Sequence, residues 1–266
     1  MSSAALGLAL GAAVLHALWN LLLAGSRDVL AATAVALGSS IVLALPFALA
    51  TWGIEREAVP WLVASGALEL LYFFALTAAY RRADLSVVYP LARGGAPVLV
   101  LLGAVATGYD PNALEVLGVL AVACGVVLVR GAAGDRRGLA LGLLVAALIA
   151  GYTLVDSEGI QHANPVPYLV LILVPAALGA ALACGRERLR SEFRTRAVLA
   201  GCGGFLAYAL VLGALQLAPA APVAAVRETS VLFAVALAAP LLGERVTTAR
   251  LAGAALVVAG ILALAA

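Results

Sequence analysis

Polar side chains fall in short clusters along this chain, and the stretches between the clusters are almost wholly apolar. Each stretch approaches the roughly 20 residues that an α-helix needs to cross the ~30 Å hydrocarbon core of a bilayer. Breaking the sequence at its charged or Gly/Pro-rich joints predicts ten helices, at 4–24, 30–50, 59–80, 85–107, 112–130, 138–158, 166–184, 197–217, 221–242 and 247–265. The joints are short. The longest, "GRERLRSEFRTR" from Gly185 to Arg196, leaves no room for a soluble domain.

Composition points the same way. The 266 residues are 65% hydrophobic and 11% charged, against about 25% charged in a soluble domain, and the mean hydropathy is +1.12. Such a chain cannot clothe a water-facing surface, so an all-α integral membrane protein is expected. A net charge of +2 gives no basis for a nucleic-acid partner. Cys124, Cys184 and Cys202 lie far apart and without ligand spacing, so neither a disulfide nor a metal site follows, and no cofactor is expected. The N-terminus lacks a positive n-region, so the first apolar segment is expected to remain as a helix rather than be cleaved.

Arginine orients the crossings. With ten helices, thirteen of the sixteen arginines fall on one side of the bilayer and Arg56 alone on the other. The arginine-rich joints are therefore expected in the cytoplasm and both termini outside, in a cell (inner) membrane. Arg93 and Arg227 belong to no joint; they lie inside predicted helices four and nine.

Those two arginines correspond. "GLALG" occurs at Gly7–Gly11 and again at Gly138–Gly142, and "YPLARGGAPVLVLLGAVATGYD" aligns with "VAAVRETSVLFAVALAAPLLGE", setting Arg93 against Arg227 and Asp110 against Glu244. Gly118 and Gly125 then meet Gly253 and Gly260 at nearly the same offset. A steady offset indicates duplication, into repeats 1–132 and 133–266. Five crossings per repeat put the second copy in upside down, an arrangement that recurs in secondary transporters with a site near the midplane.

The segments "ALWNLLL", "AYRRADLSVVYPLARGGAP", "GYTLVDSEGI" and "AAVRETSVLFAVALAAPLLGERVTTARLAGAALVVAGILAL" resemble the EamA family of the drug/metabolite transporter superfamily, over essentially the whole chain. The resemblance implies a ten-helix transporter of small metabolites, often an exporter, driven by an ion or substrate gradient. One departure is "TGYDP", where the family commonly shows Gly-Glu, so that Asp110 replaces that glutamate only in part.

Charged side chains at membrane depth cost about 2.5–3.5 kcal/mol each on insertion scales, and should face the bundle interior or a wet cavity. Arg93, with Tyr89 one turn earlier, and Arg227, with Glu228 beside it and Ser230 following, have two readings: ion pairs locking the halves together, or walls of a transport path. Glu69, with Tyr72 on its face, is caught between desolvation and a nearby arginine, and can exchange a proton as a cavity opens. A static pair with Arg93 is the competing reading. His16, Trp19 and Asn20 form one helical stripe, either a cavity wall or a histidine packed between helices. Tyr152 and Asp156 are one turn apart, and Asp156, near the outer end of its helix, is equally readable as a solvated carboxylate. The substrate class these residues suggest is a small polar metabolite, carboxylate- or amine-bearing, with the bilayer, a proton or a counter-substrate as further partners and a monomer or homodimer as the working unit. No hydrolase, metalloprotease or phosphate-loop motif is present. A passive channel or a scaffold is the alternative to a carrier.

Overall fold

A computed structural model describes residues 1–82, 85–130, 136–234, 236 and 247–265. Its helices are α1 (Ser3–Ala24), α2 (Val29–Ala50), α3 (Val59–Arg82), α4 (Leu85–Ala106), α5 (Ala113–Arg130), α6 (Arg136–Gly159), α7 (Pro165–Glu192), α8 (Thr195–Leu215), α9 (Ala220–Arg227) and α10 (Thr248–Ala265). Six of these regions are long and apolar enough to cross a membrane. Local chemistry starts several helices where the sequence shows a cap. The Ser2 hydroxyl accepts from Ala5 N–H ahead of α1, and the Asp28 carboxylate accepts from Ala31 N–H ahead of α2. Asn112 and Glu115 bond reciprocally to each other's backbone N–H at the start of α5, a capping box.

Small residues face inward and large ones outward. The buried face of α1 is Ala5, Ala9, Ala12, Ala13 and Ala17, whereas Val42, Phe47, Leu49 and Leu182 are exposed. In lipid, apolar burial does not drive helices together, so association relies on close backbone approach through small side chains. The crossing of α5 and α10 shows the limit. A Cβ added at Gly125 would sit 2.7 Å from Gly253 O, and one added at Gly253 would sit 2.7 Å from Gly125 O. Gly118 and Gly260 meet in the same reciprocal way, so the two helices run antiparallel.

The principal packing pairs are α5 with α10, α1 with α8, α4 with α6, α2 with α7, α3 with α6, α3 with α7, α2 with α8, α4 with α5, α4 with α9 and α1 with α9. Two predicted elements differ. The "GRERLRSEFRTR" joint is helical as far as Glu192, after a break at Gly185 where φ is +73°, a conformation glycine adopts freely. The predicted helix 221–242 is interrupted: α9 stops at Arg227, Glu228 and Thr229 form a turn, and helix resumes at Ser230. Glu244, the "GER" joint and the repeat boundary at 132/133 lie outside the described residues.

Candidate functional site

The centre of the bundle encloses a cavity of about 650 Å³, walled by α1, α2, α3, α4, α6, α7, α8 and α9. It brings together eight of the residues singled out in the sequence: His16, Trp19, Asn20, Glu69, Tyr72, Arg93, Tyr152 and Arg227. The cavity also reaches Ala24, Val29 and Thr33, at the ends of α1 and α2 that flank Arg27, and Leu76 and Val88, near the α3–α4 joint. It thus extends from the central charges toward the end of the bundle where those two joints lie.

The opposite end is shut. Ile54 and Ala163 form an antiparallel β-bridge, flanked by Glu55 N–H donating to His162 O at 3.1 Å and Asn164 N–H donating to Gly53 O at 2.9 Å. Asn164 Nδ2 donates to Thr51 O, and Gln216 Nε2 donates to Ile160 O and Ala163 O. Glu55 Oε2 and His162 Nδ1 lie 3.4 Å apart beside the bridge. None of these residues is among the sequence candidates.

The two buried arginines have different surroundings. Arg93 Nε lies 2.8 Å from Glu228 Oε2, and its NH2 donates to Ser230 Oγ at 2.9 Å, so α4 is tied to the turn that interrupts α9. Its partner is therefore Glu228 rather than Glu69. A helix pattern reports neighbours along one helix and carries no cross-helix distance, which is why the sequence suggested the other carboxylate. Arg227 has Nε 3.7 Å from Glu228 Oε1, but neither its Nε nor its NH2 has a hydrogen-bond partner among the described residues. It lines the cavity with that capacity unspent.

Glu69 is buried on α3, also lines the cavity, and has no arginine within 4 Å among the described residues. Next to it stands an aromatic wall: Tyr72 and Tyr152 rings meet edge to face at 5.7 Å, and Tyr152 and Tyr208 at 5.9 Å. Across the cavity His16 and Trp19 form a T-shaped pair at 5.0 Å, with Asn20 Nδ2 bonded to His16 O, so this stripe is a cavity wall. Trp19 Nε1 is another buried donor without a hydrogen-bond partner among the described residues.

Asp156 is not solvated. It is fully buried, and accepts from Tyr168 at 3.0 Å and from Tyr208. Tyr168 was missed because a tyrosine in an apolar run reads equally as an interfacial anchor. The Tyr89 side chain lies outside the described residues.

Residues 136–266 match the EamA-like transporter family. The second half of the chain is an EamA-like transporter domain. That family is part of the drug/metabolite transporter superfamily, and the chain, with its several candidate spans, is a multi-pass membrane protein. A crystal structure described only as that of a protein superposes with a TM-score of 0.77 at 18% identity, covering 99% of this chain and 98% of that one. At that identity the likeness concerns the fold alone. No curated protein matches the sequence.

Proposed function

We propose that this EamA-like protein is a secondary active carrier of a small polar metabolite, working by alternating access between two inverted five-helix repeats, 1–132 and 133–266. The observation that carries the reading is the central cavity, into which Glu69 and Arg227 both face without forming an ion pair with each other. A site that displays both charges inside a bilayer is suited to a solute bearing a carboxylate, an amine or both, with Arg227 offering an open guanidinium edge and the tyrosine wall taking the body of the solute. The packing pattern supports the repeat. Exchanging each helix for the one five places away turns α1–α8 into α6–α3, α4–α6 into α9–α1 and α3–α7 into α8–α2, and maps α2–α7, α4–α9 and α5–α10 onto themselves.

With the arginine-rich joints in the cytoplasm and the termini outside, the cavity extends toward the cytoplasmic side, the side on which an exporter loads its solute. The site lies within one chain. The test is counterflow in vesicles carrying the purified protein, using a panel of labelled amino acids and small organic acids. Saturable exchange with at least one of them, lost in Arg227→Ala, supports the carrier. Flux that never saturates identifies a channel, and no flux with any solute removes the proposal.

A further inference from the structure

Asp156 has no task in the site just described, yet its placement is unusual. It sits one turn before α6 ends at Gly159, is fully buried, and receives a phenolic O–H on each of its oxygens, Tyr168 of α7 on Oδ1 and Tyr208 of α8 on Oδ2. Among the described residues no arginine or histidine lies within 4 Å of it. The charged groups that face it are Glu69 of α3 and Arg227 of α9. Beyond Arg227 stand Glu228 and Arg93 of α4, and at the joint past α6 stand His162 and Glu55. Tyr208 lines the cavity, so its hydroxyl joins the carboxylate to that space.

We propose that Asp156 is a proton-binding site, reached from the cavity through the Tyr208 hydroxyl. The inference rests on the carrier reading for its purpose, which is to couple a proton to transport. In the transfer a solvent proton passes to the Tyr208 oxygen as the Tyr208 O–H proton passes to Asp156 Oδ2, so one proton enters and tyrosine ends unchanged. The ionised carboxylate is an acceptor only, and two O–H donors satisfy it. The protonated acid carries an O–H of its own on Oδ2, which needs an acceptor, and the Tyr208 oxygen takes it with the newly gained tyrosine proton turned to the cavity. Tyr168, which follows the 160–164 segment, goes on donating to Oδ1.

The experiment is pH-difference infrared spectroscopy on the full-length protein in detergent, following the C=O band of a protonated carboxyl. One component of the band is expected to be lost in Asp156→Asn but retained in Glu69→Gln, and to be displaced along the pH axis in Tyr208→Phe and Tyr168→Phe. Circular dichroism checks that Asp156→Asn keeps its helices; if it does not, the two tyrosine variants decide alone. A band left whole in Asp156→Asn, lost entirely in Glu69→Gln, or indifferent to both tyrosines overturns the proposal. No solute is needed for this readout, so its failure is distinguishable from the failure of vesicle counterflow, which would overturn the carrier instead.

Discussion

Arg93 Nε stands 2.8 Å from Glu228 Oε2, joining the arginine of α4 to the residue that follows Arg227 at the end of α9. Glu228 in turn lies against both guanidinium groups. Removing the carboxylate leaves two buried cations facing each other. Glu228→Ala is expected to destabilise the protein by about 3–5 kcal/mol, the scale for breaking a buried pair from one side. Thermal unfolding in detergent measures it. The double variant Arg93→Ala/Glu228→Ala should recover part of that loss, because the pair is coupled.

The arginines should separate by phenotype. Arg227→Ala, which removes the guanidinium edge open to the cavity, is expected to abolish solute-dependent thermal stabilisation; binding to the folded form raises stability as RT ln(1 + [L]/Kd). Arg93→Ala should mainly lower the unfolding temperature of the solute-free protein. Screening both variants against the same metabolite panel gives the comparison.

At the α5–α10 crossing, Gly125→Ala or Gly253→Ala drives a methyl group toward a carbonyl oxygen 2.7 Å away. Overpacking of this kind costs about 1–3 kcal/mol. Gly7→Ala, where nothing lies within 4 Å of the added carbon, should be silent in the same unfolding assay.

Asp28 provides a pH test outside the bilayer. Its carboxylate takes two hydrogen bonds from Arg188, at 2.7 and 3.0 Å, and the guanidinium holds its carboxyl below the ordinary aspartate range. A depressed value means stability that is present above the unfolded-state pKa of about 3.9 and lost as the pH falls through the folded-state value. Both partners are substantially solvated, so the increment is expected to stay under ~1 kcal/mol. Asp28→Asn should melt slightly below the parent at pH 7 and converge with it on acidification.

The shut end is open to direct locking. Ile54 and Ala163 are the non-hydrogen-bonded pair of their bridge, with Cα atoms expected about 4.5 Å apart, within the ~4.4–6.8 Å range of a disulfide. In a background with Cys124, Cys184 and Cys202 replaced, Ile54→Cys/Ala163→Cys should stop vesicle counterflow when oxidised and restore it on reduction. Undiminished counterflow in the oxidised protein would remove alternating access at this end.

How legible was this in the sequence? The helices were, because apolar length and joint chemistry are local, and so was the membership of His16, Trp19, Glu69 and Arg227 in a common interior, because polar groups in apolar runs have few other places to go. The partner of Arg93 was not, since it depends on how α4 docks against the turn after Arg227. Nor was the extension of α7, whose Arg and Glu residues read as a hydrated joint although they continue as helix beyond Gly185. The burial of Asp156 depends on Tyr168 and Tyr208 arriving from two other helices, and no spacing within α6 announces them.

The bridge between Ile54 and Ala163 is built from main-chain atoms. Side chains at those two positions could therefore drift across distant relatives while the closure persisted, and an alignment would score both segments as ordinary variable loops. Anyone hunting for the gate by looking for invariant letters would walk past it.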